Sequence, residues 1–281
     1  MTAQRLGFSF LYFTPHLTEA HHRWFARLRA HGYHGAELPV VAATDAELAS
    51  ARKALAAEGL AATAVGFAVA DANPLATDAA ERRRAVAHLA RLAEKTAALG
   101  ASVLAGPIHS AYGRFTEQPP TADEFARCVE VLQAAGEHAR TCGVTLMVEP
   151  LNRFECYFLN TAAQCNTLVR AVAHANVRAA LDTHHAHLEE DDVAAAIAAS
   201  RDTLGHVQLS ENHRGTPGTG QVDFAAALCA LDGIGYRGWL VVEAFSRQDP
   251  AFGSALRIWR ELDSGAEHVL AAGARLRSPR P

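Results

Sequence analysis

The chain has 281 residues, 49% hydrophobic and 20% charged, which supplies a large core and excludes an intrinsically disordered chain. Lys and Arg number 26 against 30 Asp and Glu, a formal net charge of -4, so a nucleic-acid binder relying on a broad basic face is not expected. No apolar run approaches the ~20 residues that span a bilayer, and Met1–Leu11 lack a signal-peptide pattern, so neither a membrane nor export is expected. Five cysteines without a CxxC pair predict reduced, mostly buried thiols and a cytoplasmic protein.

Along the chain, short apolar runs alternate with Ala- and Leu-rich helical stretches. Leu6–Phe10 reads as the first strand, followed by a helix from Thr18 to Ala30 with Trp24 and Leu28 inward. Gly35–Leu38 is the second strand. Thr44–Glu47 is a capping box ahead of Leu48, Ala51 and Leu55, with Gly59 as the stop. Ala62–Phe67 is the third strand, and Ala79–Leu99 places Val86, Leu89, Ala93 and Ala97 at helical spacing. Ser102–Ala105 is the fourth strand; the capping box Thr121–Glu124 precedes Phe125, Val129, Leu132 and Gly136. Thr145–Val148 is the fifth, followed by a third capping box at Thr161–Gln164. Arg178–Leu181, His206–Leu209 and Trp239–Val242 complete the strands. Helices are expected to open at Asp191, at Asp223 and near Gly253, and the tail from Gly273 to Pro281 reads as loose.

Eight such units predict an α/β fold, a closed (β/α)8 TIM barrel forming one domain over residues 1–281. The competitor is an open doubly wound sheet. It normally carries a Gly-rich phosphate turn after its first strand, whereas Leu11–Pro15 contains no glycine. In a parallel barrel, chemistry belongs at the C-terminal strand ends. There the fifth strand ends in Glu149, the sixth in Asp182, the seventh near Gln208 and the eighth in Glu243. Carboxylates gathered in a low-dielectric mouth repel, and a cation between them removes that cost. Oxygen donors suit Mn²⁺ or Mg²⁺.

At these residues the sequence resembles the xylose-isomerase-like barrels, and more narrowly the ketose 3-epimerases acting on D-tagatose, D-psicose (allulose) and L-ribulose. The resemblance covers almost the whole chain. It is carried by Glu149–Glu155 continuing to Thr161, by Leu181–His185 with Glu189 and Glu190, and by Ser210–Gly220, with support from Gly106, Pro107, Val242 and Glu243. It implies Glu149, Asp182 and Glu243 as metal ligands. Inverting C3 of a free ketohexose or ketopentose needs a proton-transfer group on each face, and Glu149 and Glu243, from strands on different sides of the metal, are expected to be that acid/base pair. The resemblance implies Glu155, His185 and Arg214 as substrate-binding groups. The remaining metal position is usually the second His of a His-x-His pair. Here His206-Val207-Gln208 puts Gln208 there, as in hydroxypyruvate isomerase-like relatives, so an aldose–ketose isomerase is the alternative. His109 is a candidate for the pocket lining. The cofactor implied is one divalent ion, Mn²⁺ before Mg²⁺ or Co²⁺, and a homodimer or homotetramer is expected. No nucleotide cofactor is expected, because Thr216–Gly220 lacks the Lys-Ser/Thr of a P-loop and reads as a tight turn. Remoter readings are an endonuclease-IV-like nuclease, which needs more histidine ligands and a basic rim, and a non-catalytic binding barrel.

Overall fold

In the computed structural model, which describes residues 4–277, eight parallel strands close a barrel in sequence order. They are β1 (Arg5–Ser9), β2 (Gly35–Pro39), β3 (Ala61–Val65), β4 (Val103–Gly106), β5 (Thr145–Val148), β6 (Val177–Asp182), β7 (Leu204–Ser210) and β8 (Trp239–Glu243). The outer layer comprises α1 (Arg23–Ala30), α2 (Asp45–Ala57), α3 (Ala79–Ala98), α4 (Ala122–Thr141), α5 (Ala162–Val172), α6 (Thr183–Glu189), α7 (Val193–Ala199), α8 (Phe224–Gly233), α9 (Pro250–Ala255) and α10 (Ala266–Arg275). The three predicted capping boxes form: Thr44, Thr121 and Thr161 accept from the backbone of Glu47, Glu124 and Gln164. Each such cap is worth about 1 kcal/mol to its helix.

Several boundaries differ from the sequence reading. Phe25, not Trp24, is the buried aromatic of α1; Trp24 is half-buried and stacks on Phe13 with ring centroids 4.6 Å apart. Asp192 rather than Asp191 caps α7. The single helix expected near Gly253 is two, with Asp249 capping α9 and Pro250 in its first turn. The expected loosening from Gly273 does not occur there. α10 runs on to Arg275, and Gly273 is buried where a Cβ would stand 2.5 Å from the Tyr33 hydroxyl and 2.9 Å from Val242. Residues 278–281 lie outside the described residues.

Two apolar layers follow from the period of two along each strand. One set of faces joins the helices in the main core, while Val103, Ala105, Met147, Ala180, Trp239 and Val241 form a separate cluster. Continuing that second set by two residues along β5, β6 and β8 gives Glu149, Asp182 and Glu243; on β7, Gln208 lies beside Asp182 and Val241 in the register. The polar layer therefore caps the barrel's own interior. Trp239 fills the interior below, where Gly7 and Gly35 leave room: a Cβ on Gly35 would lie 2.6 Å from its indole.

Gly106 ends β4 at φ 131°, and a Cβ there would stand 2.0 Å from the carbonyl oxygen of Gly66. Its own carbonyl accepts from the Glu149 amide at 3.1 Å. Gly106→Ala is expected to lower unfolding free energy by on the order of 3 kcal/mol in chemical denaturation. A loss under about 0.5 kcal/mol, the usual effect of a neutral surface change, would contradict this.

Candidate active site

The sequence places oxygen-bearing side chains at four strand ends, and the fold brings them to one mouth. Glu149, Asp182, Gln208 and Glu243 are all buried. Ligand atoms of Glu149, Asp182 and His185 lie within 4.8 Å of one another. Asp182 ends β6 and also caps α6, its Oδ1 accepting from the His184 amide at 2.6 Å. Its Oδ2 finds no hydrogen-bond partner among the described residues. Gln208 donates from Nε2 to Glu37 Oε1 and to Glu243 Oε1, each at 3.1 Å, while its buried Oε1 is likewise without a partner.

Arg214 is the cation of this mouth. Its Nη2 lies 3.9 Å from Asp182 Oδ2 and 3.7 Å from Glu243 Oε2. Its guanidinium sits 4.6 Å from the centroid of the Phe245 ring, and its backbone takes φ 60°, held by Phe245 N donating to its carbonyl at 2.7 Å. Against the cost of burial, Glu155, Glu243, Asp182 and Glu149 hold Arg214 firmly charged. One guanidinium does not offset all these acids. Burial, reinforced by Asp182, pushes the Glu149 carboxyl well above its ordinary range, and burial does the same to Glu243. Asp182 is also raised by burial, against the pull of Arg214. Two unit charges 4 Å apart at an effective dielectric of about 20 repel by roughly 4 kcal/mol. The donor set, all oxygen apart from His185, with two unpartnered buried oxygens, therefore fits a hard divalent cation. A second trio, Glu155, His184 and His185, is equally close. It fits a cation less well, because the Asn152 amide already donates to Glu155 Oε1 and stands 2.9 Å from His185 Nδ1.

The His185 ring is kept neutral by burial with Arg214 beside it. The backbone N–H of Asn152 faces its Nδ1 at 3.0 Å and Arg214 Nη2 faces its Nε2 at 2.7 Å, so each ring nitrogen meets a donor while a neutral ring accepts at only one of them. Arg214 and His185 thus stand side by side at the mouth. Glu155 lies alongside, bonded to Tyr112 and Asn152 at 3.1 and 2.9 Å. Despite burial, Arg214, Asn152, His184 and Tyr112 hold its carboxyl below the ordinary value.

A cavity of about 370 Å³ opens above this layer. Glu149, Glu155, His185, Arg214 and Glu243 line one side; Asp182 and Gln208 lie beneath and do not reach it. The opposite wall, over β1–β3 and α9, is apolar through Leu11, Val41, Val65, Phe67, Phe252 and Leu256, with Tyr112 beside Phe67 giving its hydroxyl to Glu155. The Thr216–Gly220 loop is the tight turn expected. Its Gly218 amide, with that of Val222, donates to the buried carboxylate of Glu211 at 2.9 Å, the seat a phosphate would need.

Two residues differ from the sequence reading. Glu37, unremarked there, is fully buried in the barrel, with Oε2 2.8 Å from His206 Nε2. A lone carboxylate inside an apolar strand was the available signal. His109 does not line the cavity. It lies buried beneath it, donating from Nε2 to the Glu149 carbonyl at 3.0 Å and accepting from Ser110 on Nδ1. Burial pushes its pKa down to about 4, against an ordinary 6.5. The unfolded chain takes up a proton as pH falls below about 6.5, and the folded ring resists it down to about 4. The neutral ring's contribution is therefore complete above about pH 6.5 and is lost as pH falls through that window. His109→Gln is expected to flatten the fall in denaturation midpoint between pH 6.5 and 4; an unchanged slope would contradict this.

Residues 25–262 match the family model described as a xylose isomerase-like TIM barrel. The chain is 35% identical over 225 residues to the D-psicose 3-epimerase of Agrobacterium fabrum, covering 80% of this chain and 78% of that one. It is 35% identical over 243 residues to the L-ribulose 3-epimerase of Mesorhizobium japonicum, covering 85% and 81%. The crystal structure of D-allulose 3-epimerase from Methylomonas sp. in complex with D-allulose superposes with a TM-score of 0.89 at 28% identity, covering 97% and 96% of the two chains. An eight-stranded barrel whose mouth gathers acids around one arginine, matched to these relatives over most of its length, belongs to the xylose isomerase-like TIM barrel family and is an epimerase of its ketose 3-epimerase group.

Proposed function

We propose that the protein inverts C3 of a free ketohexose or ketopentose, of the D-tagatose, D-fructose/D-allulose or L-ribulose type, with a divalent ion held by Glu149, Asp182, Gln208 and Glu243. One observation carries the reading: of the four strand-end residues, only Glu149 and Glu243 reach the cavity. Proton removal from one face of C3 and return to the other needs two such groups. One must be ionised while the other is protonated. Burial that raises both carboxyl groups makes the protonated form accessible.

When bound, a divalent ion supplies charge neutralisation for the oxygens next to the reacting carbon. Mn²⁺ is the first candidate, before Mg²⁺ or Co²⁺; the oxygen donors suit Mn²⁺ and Mg²⁺ alike. His185 and Arg214 hold the carbonyl end of the sugar, and the Arg214 guanidinium offsets the negative charge that develops there. Glu155, beside Arg214, accepts from the terminal hydroxyl at that same carbonyl end. The apolar wall faces C4 to C6 and reads them by shape. The protein works in the cytoplasm as a homodimer or homotetramer, a reading supported by its free cysteines and by Trp259 and Phe154, which are 71% and 64% exposed. An aldose–ketose isomerase of the hydroxypyruvate isomerase kind is favoured by one feature, Gln208.

Glu149→Gln and Glu243→Gln are each expected to lower kcat by about 10³-fold or more with the melting temperature retained. Near-normal turnover by either variant would rule out the two-carboxylate scheme. Because an apolar wall discriminates poorly against hydroxyls, kcat/KM for a ketohexose and its 6-deoxy analogue is expected to differ by no more than about 10²-fold. A preference of 10⁴ or more would place a hydrogen-bonding group at that end of the cavity.

A further inference from the structure

We infer that Glu37 is a positioning residue that fixes the side-chain amide of Gln208, so that its oxygen and not its nitrogen is presented to the metal. The inference rests on the ligand set proposed above. The two ends of a carboxamide are almost the same size, so packing alone does not choose between them. The neighbours do. Glu37 Oε1 and Glu243 Oε1 both stand 3.1 Å from the Gln208 nitrogen and accept from it. With both hydrogens taken, the amide cannot turn over without facing lone pair to lone pair. The oxygen is left buried and without a partner among the described residues.

Glu37 is itself held for this task. It lies on β2, opposite Thr63 of β3 in the strand register. Thr63 Oγ1 donates to its Oε2 at 3.2 Å. His206 Nε2 lies 2.8 Å from the same oxygen without the geometry of a hydrogen bond, so Thr63 is the side chain that holds it. The bond from Glu37 to Gln208 crosses the barrel interior, since β8 and β1 separate their strands. Glu243 also grips the amide, but it lines the cavity and serves the substrate. Glu37 does not reach the cavity, and the proposed reaction gives it no other work. A metal ligand oriented by a carboxylate behind it gains its direction from that carboxylate.

The test is calorimetric titration of Mn²⁺ into the purified full-length protein, its Glu37→Gln and Gln208→Ala variants, and the double variant. A glutamine at 37 keeps the volume but can donate, so the amide at 208 can turn. The expected result is a Kd for Mn²⁺ raised about 10- to 100-fold in Glu37→Gln, with the unfolding temperature of the metal-free variant unchanged. In the Gln208→Ala background the same change should add nothing, because no amide remains to orient. Wild-type affinity in Glu37→Gln, or losses that multiply in the double variant, would overturn the inference. If the wild-type protein takes up no Mn²⁺, the ligand set itself fails and Glu37 falls with it. Should Glu37→Gln not fold, Glu37→Asp, which withdraws the acceptor by one methylene, is titrated in its place with the same expected loss.

Discussion

Acids that share a space without water repel one another, and the mouth of this barrel is organised around that repulsion. Glu149, Asp182 and Glu243 are buried together, with Glu155 beside them and Glu37 below, and Arg214 is the guanidinium among them. The rest of the layer makes the crowding tolerable. The amide of Gln208 stands between two carboxylates and donates to both. The His184 amide at the start of α6 stabilises one oxygen of Asp182. Asn152 and Tyr112 satisfy Glu155. Asp182 Oδ2 and Gln208 Oε1 remain without a partner among the described residues, as do Arg214 Nε and the ring nitrogens of His206. Those two oxygens and the surplus of negative charge define what the site can hold.

The scaffold supplies this layer through strand geometry. A period of two carries Met147 to Glu149, Ala180 to Asp182 and Val241 to Glu243 on the inward face. Below them Trp239, with Gly7 and Gly35 making room, fills the interior, so the acids rest on a packed floor rather than a pore. Glu149 is fixed from beneath as well, through its amide to Gly106 and its carbonyl to His109. Asp182 and Gln208 lie below, while Glu149 and Glu243 line the cavity.

Much of this was legible in the sequence for a physical reason. Strands buried on both faces are continuous apolar runs, and a charged residue at the end of such a run marks the rim. Threonine three residues before Glu or Gln marked three helix starts that the structure reproduces. Other features hid because their meaning depends on register or tertiary contact. Glu37 lies within its strand, and only the pairing of Ser9, Glu37 and Thr63 shows it pointing inward. Helix α6 has no separate start signal, because Asp182 is at once the last strand residue and the cap. His109 follows a strand end like the others, yet the chain after Gly106 turns it under Glu149 instead of over the cavity. The last helix outruns its apparent end because Gly273 packs against Tyr33 and Val242, contacts about 240 and 30 residues away in sequence.

The central claim is that Glu149 and Glu243 exchange a proton at C3 of a ketose. The most direct test is to incubate the Mn²⁺-loaded protein with fructose, tagatose or ribulose in D₂O and to follow products by NMR. The account predicts a new ketose, inverted at C3 and carrying deuterium there. An aldose product, or deuterium at C1 or C2 with C3 untouched, would contradict it and make Gln208 the mark of an isomerase.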